Sequence, residues 1–131
     1  LEATQAKLTA ENAPENYTLL LESHTNMDKY VGSGSVSCIV FNFGYLPGGD
    51  HNIFTTPATS IPAIEKGLKL LKQGGLMSLC VYYGGDSGFE EKDALMEYFR
   101  TIDSKQYTVL ITEFANRPNN PPIPVFILKQ I

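Results

Sequence analysis

Apolar positions along the chain fall into two kinds of pattern. Short, nearly unbroken apolar runs occur at YTLLLE (17–22), VSCIVFNF (36–43), LMSLCVYY (76–83), YTVLITEFAN (107–116) and PVFILKQI (124–131). Runs of that length bounded by turn residues predict strands. Because 36–43 is almost without polar interruption, it is expected to be central in a parallel sheet and covered on both faces. A second pattern, with a period near 3.6, predicts helices. Residues 1–12 are good helix formers closed by Asn12-Ala13-Pro14. A helix from Pro57, capped by Thr56, places Ile61, Ile64, Leu68 and Leu71 on one face and ends at Gln73-Gly74-Gly75. A third runs to about Ile102, with Ser87 and Glu90 at capping-box spacing and Leu95, Phe99 and Ile102 as its buried stripe. SHTNMDKYV reads as a loop with at most a turn or two of helix. The link RPNNPPIP between the last two strands is too short for a crossover helix, so that pair must be antiparallel.

Strands alternating with helices specify an α/β fold with a mostly parallel sheet, finished here by an antiparallel hairpin. At 131 residues, 43% hydrophobic and 18% charged, the composition is that of one ordinary globular domain. No apolar run approaches the ~18 residues of a membrane span, so no membrane partner is expected and the default compartment is cytoplasmic. Ten basic against fourteen acidic residues leave a net charge of −4, too acidic to hold nucleic acid by bulk electrostatics; any RNA must be gripped locally. Cys38 and Cys80 each sit inside an apolar run, outside any Cys/His cluster. Buried reduced thiols are expected, and neither zinc nor a disulfide scaffold.

In open α/β sheets ligands bind beyond the carboxyl ends of the strands. Three unusual clusters are expected there: Glu22-Ser23-His24, Asn42 to Asp50, and Tyr83 to Gly88. The strand order, the Leu71-Lys72-Gln73-Gly74-Gly75 turn, and above all FNFGYLPGGD (41–50) with YYGGDSGFEEKDAL (82–95) resemble a family. It is the class I S-adenosylmethionine-dependent methyltransferases of the rRNA methylase type, some of which methylate 5-aminomethyl-2-thiouridine in tRNA. The resemblance runs over the whole chain and corresponds to the carboxyl-terminal two-thirds of such a domain. The Gly-rich cofactor loop and the acidic ribose ligand normally lie upstream, and neither is present here. The chain also opens at Leu1 without a methionine. Together these imply a Rossmann-like domain whose first βα units are missing and a parent with on the order of 30 further residues or more upstream. The strand at 36–43 would then be an open edge, and self-pairing to a homodimer is one expected result.

The resemblance implies S-adenosyl-L-methionine as cofactor and the tRNA anticodon region as substrate. Glu22, Ser23 and His24 would contact the adenine; Asn42 and Gly44 would line the cofactor. Asn42-Phe43-Gly44-Tyr45 has the layout of the Asn/Asp-Pro-Pro-Tyr motif of nitrogen-directed methyltransferases, which makes Asn42 the residue that orients the amine and Tyr45 its packing neighbour. Leu46, Pro47, Gly48, Gly49, Asp50, Tyr83 and Asp86 would meet the substrate. Members of the family often carry Tyr-x-Gly-His where this sequence reads Tyr82-Tyr83-Gly84-Gly85, so a histidine base is lacking there. His24, Asp50, His51 and Asp86 remain as proton acceptors, His51 being better read as solvated. In-line methyl transfer needs no covalent intermediate, in keeping with a sequence that has no Ser/His/Asp or Cys/His set. Lys66, Lys69 and Lys72 could meet RNA phosphates but are better read as a solvated helix face, and Arg117 with Asn119-Asn120-Pro121-Pro122 is an RNA contact or, equally, a stiff turn. Two other readings stay open: a small-molecule N-methyltransferase, and a domain that keeps the fold without catalysis.

Overall fold

A computed structural model describes residues 1–44, 55–83 and 88–130. Helix α1 (Glu2–Ala10) has no buried residue and is tied to the next segment by Gln5 Nε2, which donates to the Tyr17 hydroxyl at 3.0 Å. A short 3₁₀ helix (His24–Lys29) precedes strand β1 (Val36–Phe43). Helix α2 (Pro57–Leu70), strand β2 (Leu71–Val81), helix α3 (Gly88–Thr101) and strands β3 (Tyr107–Ile111) and β4 (Ile123–Lys129) complete the chain.

The sheet order is β1-β2-β4-β3. Strand β2 is parallel to β1, and β4 is antiparallel to both β2 and β3. Three strands therefore run one way, and β1, β2 and β3 all end at the same edge. This is the α/β architecture that the alternation of elements predicts.

One sheet face forms the core. Phe41, Phe43, Met77, Leu79, Val81, Val125 and Ile127 alternate inward and meet Ala63, Ile64 and Leu68 of α2 and Leu95 and Phe99 of α3. Each such side chain contributes about 1.5–3 kcal/mol on burial. Thr56 stands at the start of α2 in extended conformation with Pro57 behind it, because a helix's first N–H has no partner to lose.

Four expectations are corrected. Residues 17–22 form no strand, and Leu21 is 88% exposed. Apolar residues favour extended backbone, but a strand exists only through a neighbour's hydrogen bonds, and β1 pairs only with β2 among the described residues. Next, β1 is covered on one face and not two: it alternates, with Val40 66% exposed. The core packs on the α2 and α3 side, and on the other face the cross-strand rows Cys38-Leu76-Leu128-Thr108 and Val40-Ser78-Phe126-Leu110 are half-buried or exposed. For the same reason Cys38 is exposed and Cys80 half-buried, though both are free thiols. Finally, α2 stops at Leu70, and Gln73-Gly74-Gly75 belongs to β2. Register jumps from Val36↔Leu71 to Cys38↔Leu76, and residues 72–74 bulge outward while Gly75 turns back in, buried. Gly74 has φ +80°, and a Cβ on Gly75 would lie 2.8 Å from the Lys72 carbonyl oxygen. The glycine pair makes a bulge possible and does not end the helix. Lys72 accordingly leaves the helical row suggested by Lys66 and Lys69.

Candidate functional site

The shared carboxyl edge is built around the end of β1. Tyr82 N–H donates to the Phe43 carbonyl at 2.9 Å, joining the ends of β1 and β2. Gly44 comes next with φ +100°, and a Cβ there would lie 2.3 Å from the Tyr82 carbonyl oxygen. Gly44 N–H donates to Thr55 Oγ1 at 2.7 Å and Thr55 N–H donates back to the Gly44 carbonyl at 3.2 Å. These reciprocal bonds hold Gly44 and Thr55 side by side.

Behind them stands a carboxylate that sequence reasoning missed. Glu91 is 2% exposed; its Oε1 accepts from the Thr55 hydroxyl at 2.9 Å and its Oε2 from the buried Ser60 hydroxyl at 2.7 Å. Thr55 Oγ1 is thus acceptor for Gly44 and donor to Glu91, so one buried group of α3 positions Thr55 against Gly44 at the end of β1. A buried carboxylate is tolerated only when bonded in this way. A signal was available: Glu91 lies four residues before Leu95 and eight before Phe99, on the buried stripe of α3, where a carboxylate needs a partner.

His24 packs edge-on against Phe41 and Phe43, with ring centroids 5.9 and 5.8 Å away. Burial holds its imidazole below the ordinary value, outweighing the Glu91 charge and a backbone hydrogen bond at Thr59, both of which raise it. In the unfolded chain His24 takes up its proton near pH 6.5, before the folded protein does. Stability is then lost as pH falls below that value towards the lower folded one. The urea midpoint is expected to drop between pH 7.5 and 5.5, and to drop less in a His24→Phe variant; an equal drop in both would exclude His24 as the cause.

The remaining candidates occupy varied positions. Glu22 accepts from Asn26 Nδ2 at 2.8 Å, Ser23 N–H at 3.0 Å and the Tyr30 hydroxyl at 3.2 Å, and these bonds, that from Asn26 first, lower its pKa. Ser23 Oγ accepts from Thr25 N–H at 3.3 Å as the cap of the 3₁₀ helix. Both side chains thus build the turn that presents His24. Asn42 is exposed and, by alternation with Phe41 and Phe43, lies on the opposite sheet face from His24. The structure brings His24, Phe43, Gly44 and Glu91 together; Asn42 shares their edge but not their face. Tyr83 stands at the end of β2 against Phe89 and Lys92. Lys66 is committed, its Nζ donating to the Thr25 carbonyl at 2.6 Å and reaching Asp28 at 3.4 Å. Tyr45, Leu46, Pro47, Gly48, Gly49, Asp50, His51 and Asp86 lie outside the described residues. Among the described residues no His/Cys/Asp/Glu group could hold a metal, and no helix is long and apolar enough to cross a membrane.

The sequence profile of the family described as "Putative rRNA methylase" matches residues 1–128. The chain belongs to this family. A crystal structure described as a "putative rRNA-methylase" from Clostridium thermocellum is 45% identical, with a TM-score of 0.90 over 98% of this chain and 68% of that one. A methyltransferase from Streptococcus mutans in complex with SAH is 37% identical, with a TM-score of 0.83 over 96% of this chain and 68% of that one. A chloroplastic tRNA (mnm(5)s(2)U34)-methyltransferase from Arabidopsis thaliana is 33% identical over 82% of this chain. The chain spans 39% of that relative's length.

The fold of the rRNA methylase family is that of class I methyltransferases, and the described edge fits part of their cofactor. Gly44 lets the backbone pass close against the Tyr82 carbonyl at the strand end, and His24 and Phe43 supply ring surface at that edge. Glu22 and Ser23 have their polar atoms occupied by local bonds.

Proposed function

We propose that the protein containing this chain is an S-adenosylmethionine-dependent N-methyltransferase of RNA, acting on the aminomethyl group of wobble 5-aminomethyl-2-thiouridine in tRNA in the cytoplasm. The observation that carries the reading is the Gly44 turn: a backbone position with no room for a side chain, anchored through Thr55 to buried Glu91, at the strand end where this fold binds ligands. The Arabidopsis relative's substrate supports the choice of nucleotide.

When bound, the cofactor supplies an electrophilic methyl on a sulfonium sulfur that leaves as a thioether. The chain's own part is positioning. Asn42, at the same carboxyl edge but on the sheet face opposite His24, offers its amide oxygen to a substrate N–H that approaches from that side, aiming the nitrogen lone pair along the line of displacement. The Gly44–Thr55–Glu91 chain keeps the turn in one place, so the reacting atoms meet without further ordering. The nitrogen gains the methyl and gives up a proton to solvent.

Asn42→Ala is expected to lower turnover at least a hundredfold while cofactor affinity, measured by calorimetry, changes little; unchanged turnover would remove Asn42 from the reaction. Mass analysis of wobble nucleosides from cells lacking the gene tests the substrate. Accumulated aminomethyl-thiouridine supports the reading, and a normal profile rejects it.

A further inference from the structure

A second concavity opens at the same carboxyl edge, between the start of α3 and the mouth of the β3–β4 hairpin. It is a cleft of about 500 Å³, within the range of small-ligand sites. Its walls combine cations and aromatic rings: Lys92 and Arg117, Tyr83 and Phe114. In a chain of net charge −4, Arg117 and Lys92 bring positive charge to one cleft, Lys92 sharing its ammonium with Asp93 at 3.1 Å.

The four side chains divide the work. Tyr83 has its ring engaged, with Phe89 edge-on at 5.4 Å and Lys92 Nζ 5.4 Å over its centroid. The ammonium is held between the Tyr83 ring, by a cation–π contact, and Asp93 Oδ1 at 3.1 Å, and Lys92 is only 27% exposed. Phe114, 45% exposed on the far wall, presents an apolar face large enough for a base to stack on. Arg117 stands on the hairpin beyond it with the planar fork suited to phosphate. Glu113, in the same cleft, disfavours a free polyphosphate but accepts a hydrogen bond from a base amino group.

The hairpin is built to hold this wall. Thr112 closes its mouth by donating both its hydroxyl, at 2.8 Å, and its N–H, at 3.0 Å, to the Pro124 carbonyl. Asn119 and Asn120 both take left-handed backbone, φ 64° and 55°, ahead of Pro121-Pro122. Asparagine tolerates that conformation, and the two prolines stiffen the run into β4. Arg117 is thus carried on a preformed arm.

We propose that this cleft binds one unpaired nucleotide of the RNA substrate, its base stacked on Phe114 and its phosphate held by Lys92 and Arg117, flanking the nucleotide that is methylated. Aromatic stacking with local cations is how single strands are gripped without bulk charge. The inference rests on the RNA reading above. In the complete protein, fluorescence anisotropy with a synthetic tRNA anticodon stem–loop, repeated over a range of salt, gives affinity and the slope of log affinity against log salt. Phe114→Ala is expected to weaken binding about tenfold with the slope intact. Arg117→Ala is expected to weaken it and reduce the slope by about 0.7, the value for one phosphate of a single strand. Both should raise KM for RNA more than they lower kcat, and leave cofactor affinity unchanged. If the wild type methylates the RNA and both variants bind it normally with unchanged slope, the cleft assignment fails alone. If the wild type neither binds nor methylates the RNA while it binds cofactor, the RNA reading fails and the cleft falls with it.

Discussion

Gly44→Ala is expected to destabilise the protein by about 3 kcal/mol or more, through two separable effects. The first is conformational: φ is +100°, and forcing an L-residue into positive φ costs about 1–2 kcal/mol. The second is steric, because the new Cβ would stand 2.3 Å from the Tyr82 carbonyl oxygen. That neighbour is backbone, tied into the β1–β2 end by the Tyr82 N–H bond to Phe43, and cannot swing aside. Overpacking of this kind costs a further 1–3 kcal/mol or so. Gly34→Ala is the control: φ is +67° but nothing lies within 4 Å of the added atom, so only the first cost applies, about 1 kcal/mol. Urea unfolding of the two variants side by side measures the difference. Equal losses would mean that the close approach at Gly44 is not felt, and the site would lose its anchor.

Removing the carboxylate at Glu91 should be comparably severe. Glu91→Ala leaves the Thr55 and Ser60 hydroxyls without their acceptor and opens a void beside Leu95 and Phe99. Breaking a buried charged hydrogen-bond set costs about 3 kcal/mol, by the measure of similar groups. Glu91→Gln keeps the shape and one acceptor oxygen, and should cost about half as much. The consequence for activity comes from geometry. Thr55 Oγ1 loses its orienting partner and with it the fixed bond to Gly44 N–H, so turnover should fall in the folded Gln variant while cofactor affinity is largely kept. A double-mutant cycle with Ser60→Ala is expected to give a coupling of about 1 kcal/mol or more. Additive losses would show that Ser60 and Glu91 do not act as one unit.

The site was legible in parts, and the parts divide by chemistry. His24 and Gly44 stand out in the sequence because a histidine after an apolar run and a glycine just past a strand are unusual there. Glu91, Thr55 and Ser60 do not stand out: a glutamate in FEEKDAL and two hydroxyls in TTPATS look solvated, and only their meeting across 36 and 31 residues makes them a buried network. Arg117 is conspicuous as a cation in a proline-rich turn, but Tyr83 and Lys92, the groups that turn it into one wall of a cleft, are distant in sequence. Asn42 was expected beside His24; strand alternation, which depends on register and not on motif, puts its side chain on the other face.

Local backbone preference and the spacing of apolar residues were readable along the chain. They located three helices within a few residues of their ends except at the carboxyl end of α2, the four strands of the sheet, the antiparallel finish and the inward stripe of Ile64, Leu68, Leu95 and Phe99. These arise because an amphipathic period names its own buried side. Packing across the fold fixed the rest: Leu20 and Leu21 lie outside the sheet, Val40 and Cys38 face outward, Gly74-Gly75 forms a bulge, and Glu91 reaches Gly44 through Thr55. Pairing, coverage of a second face, and hydrogen bonds between distant residues are properties of what lies opposite, and no local segment holds that information.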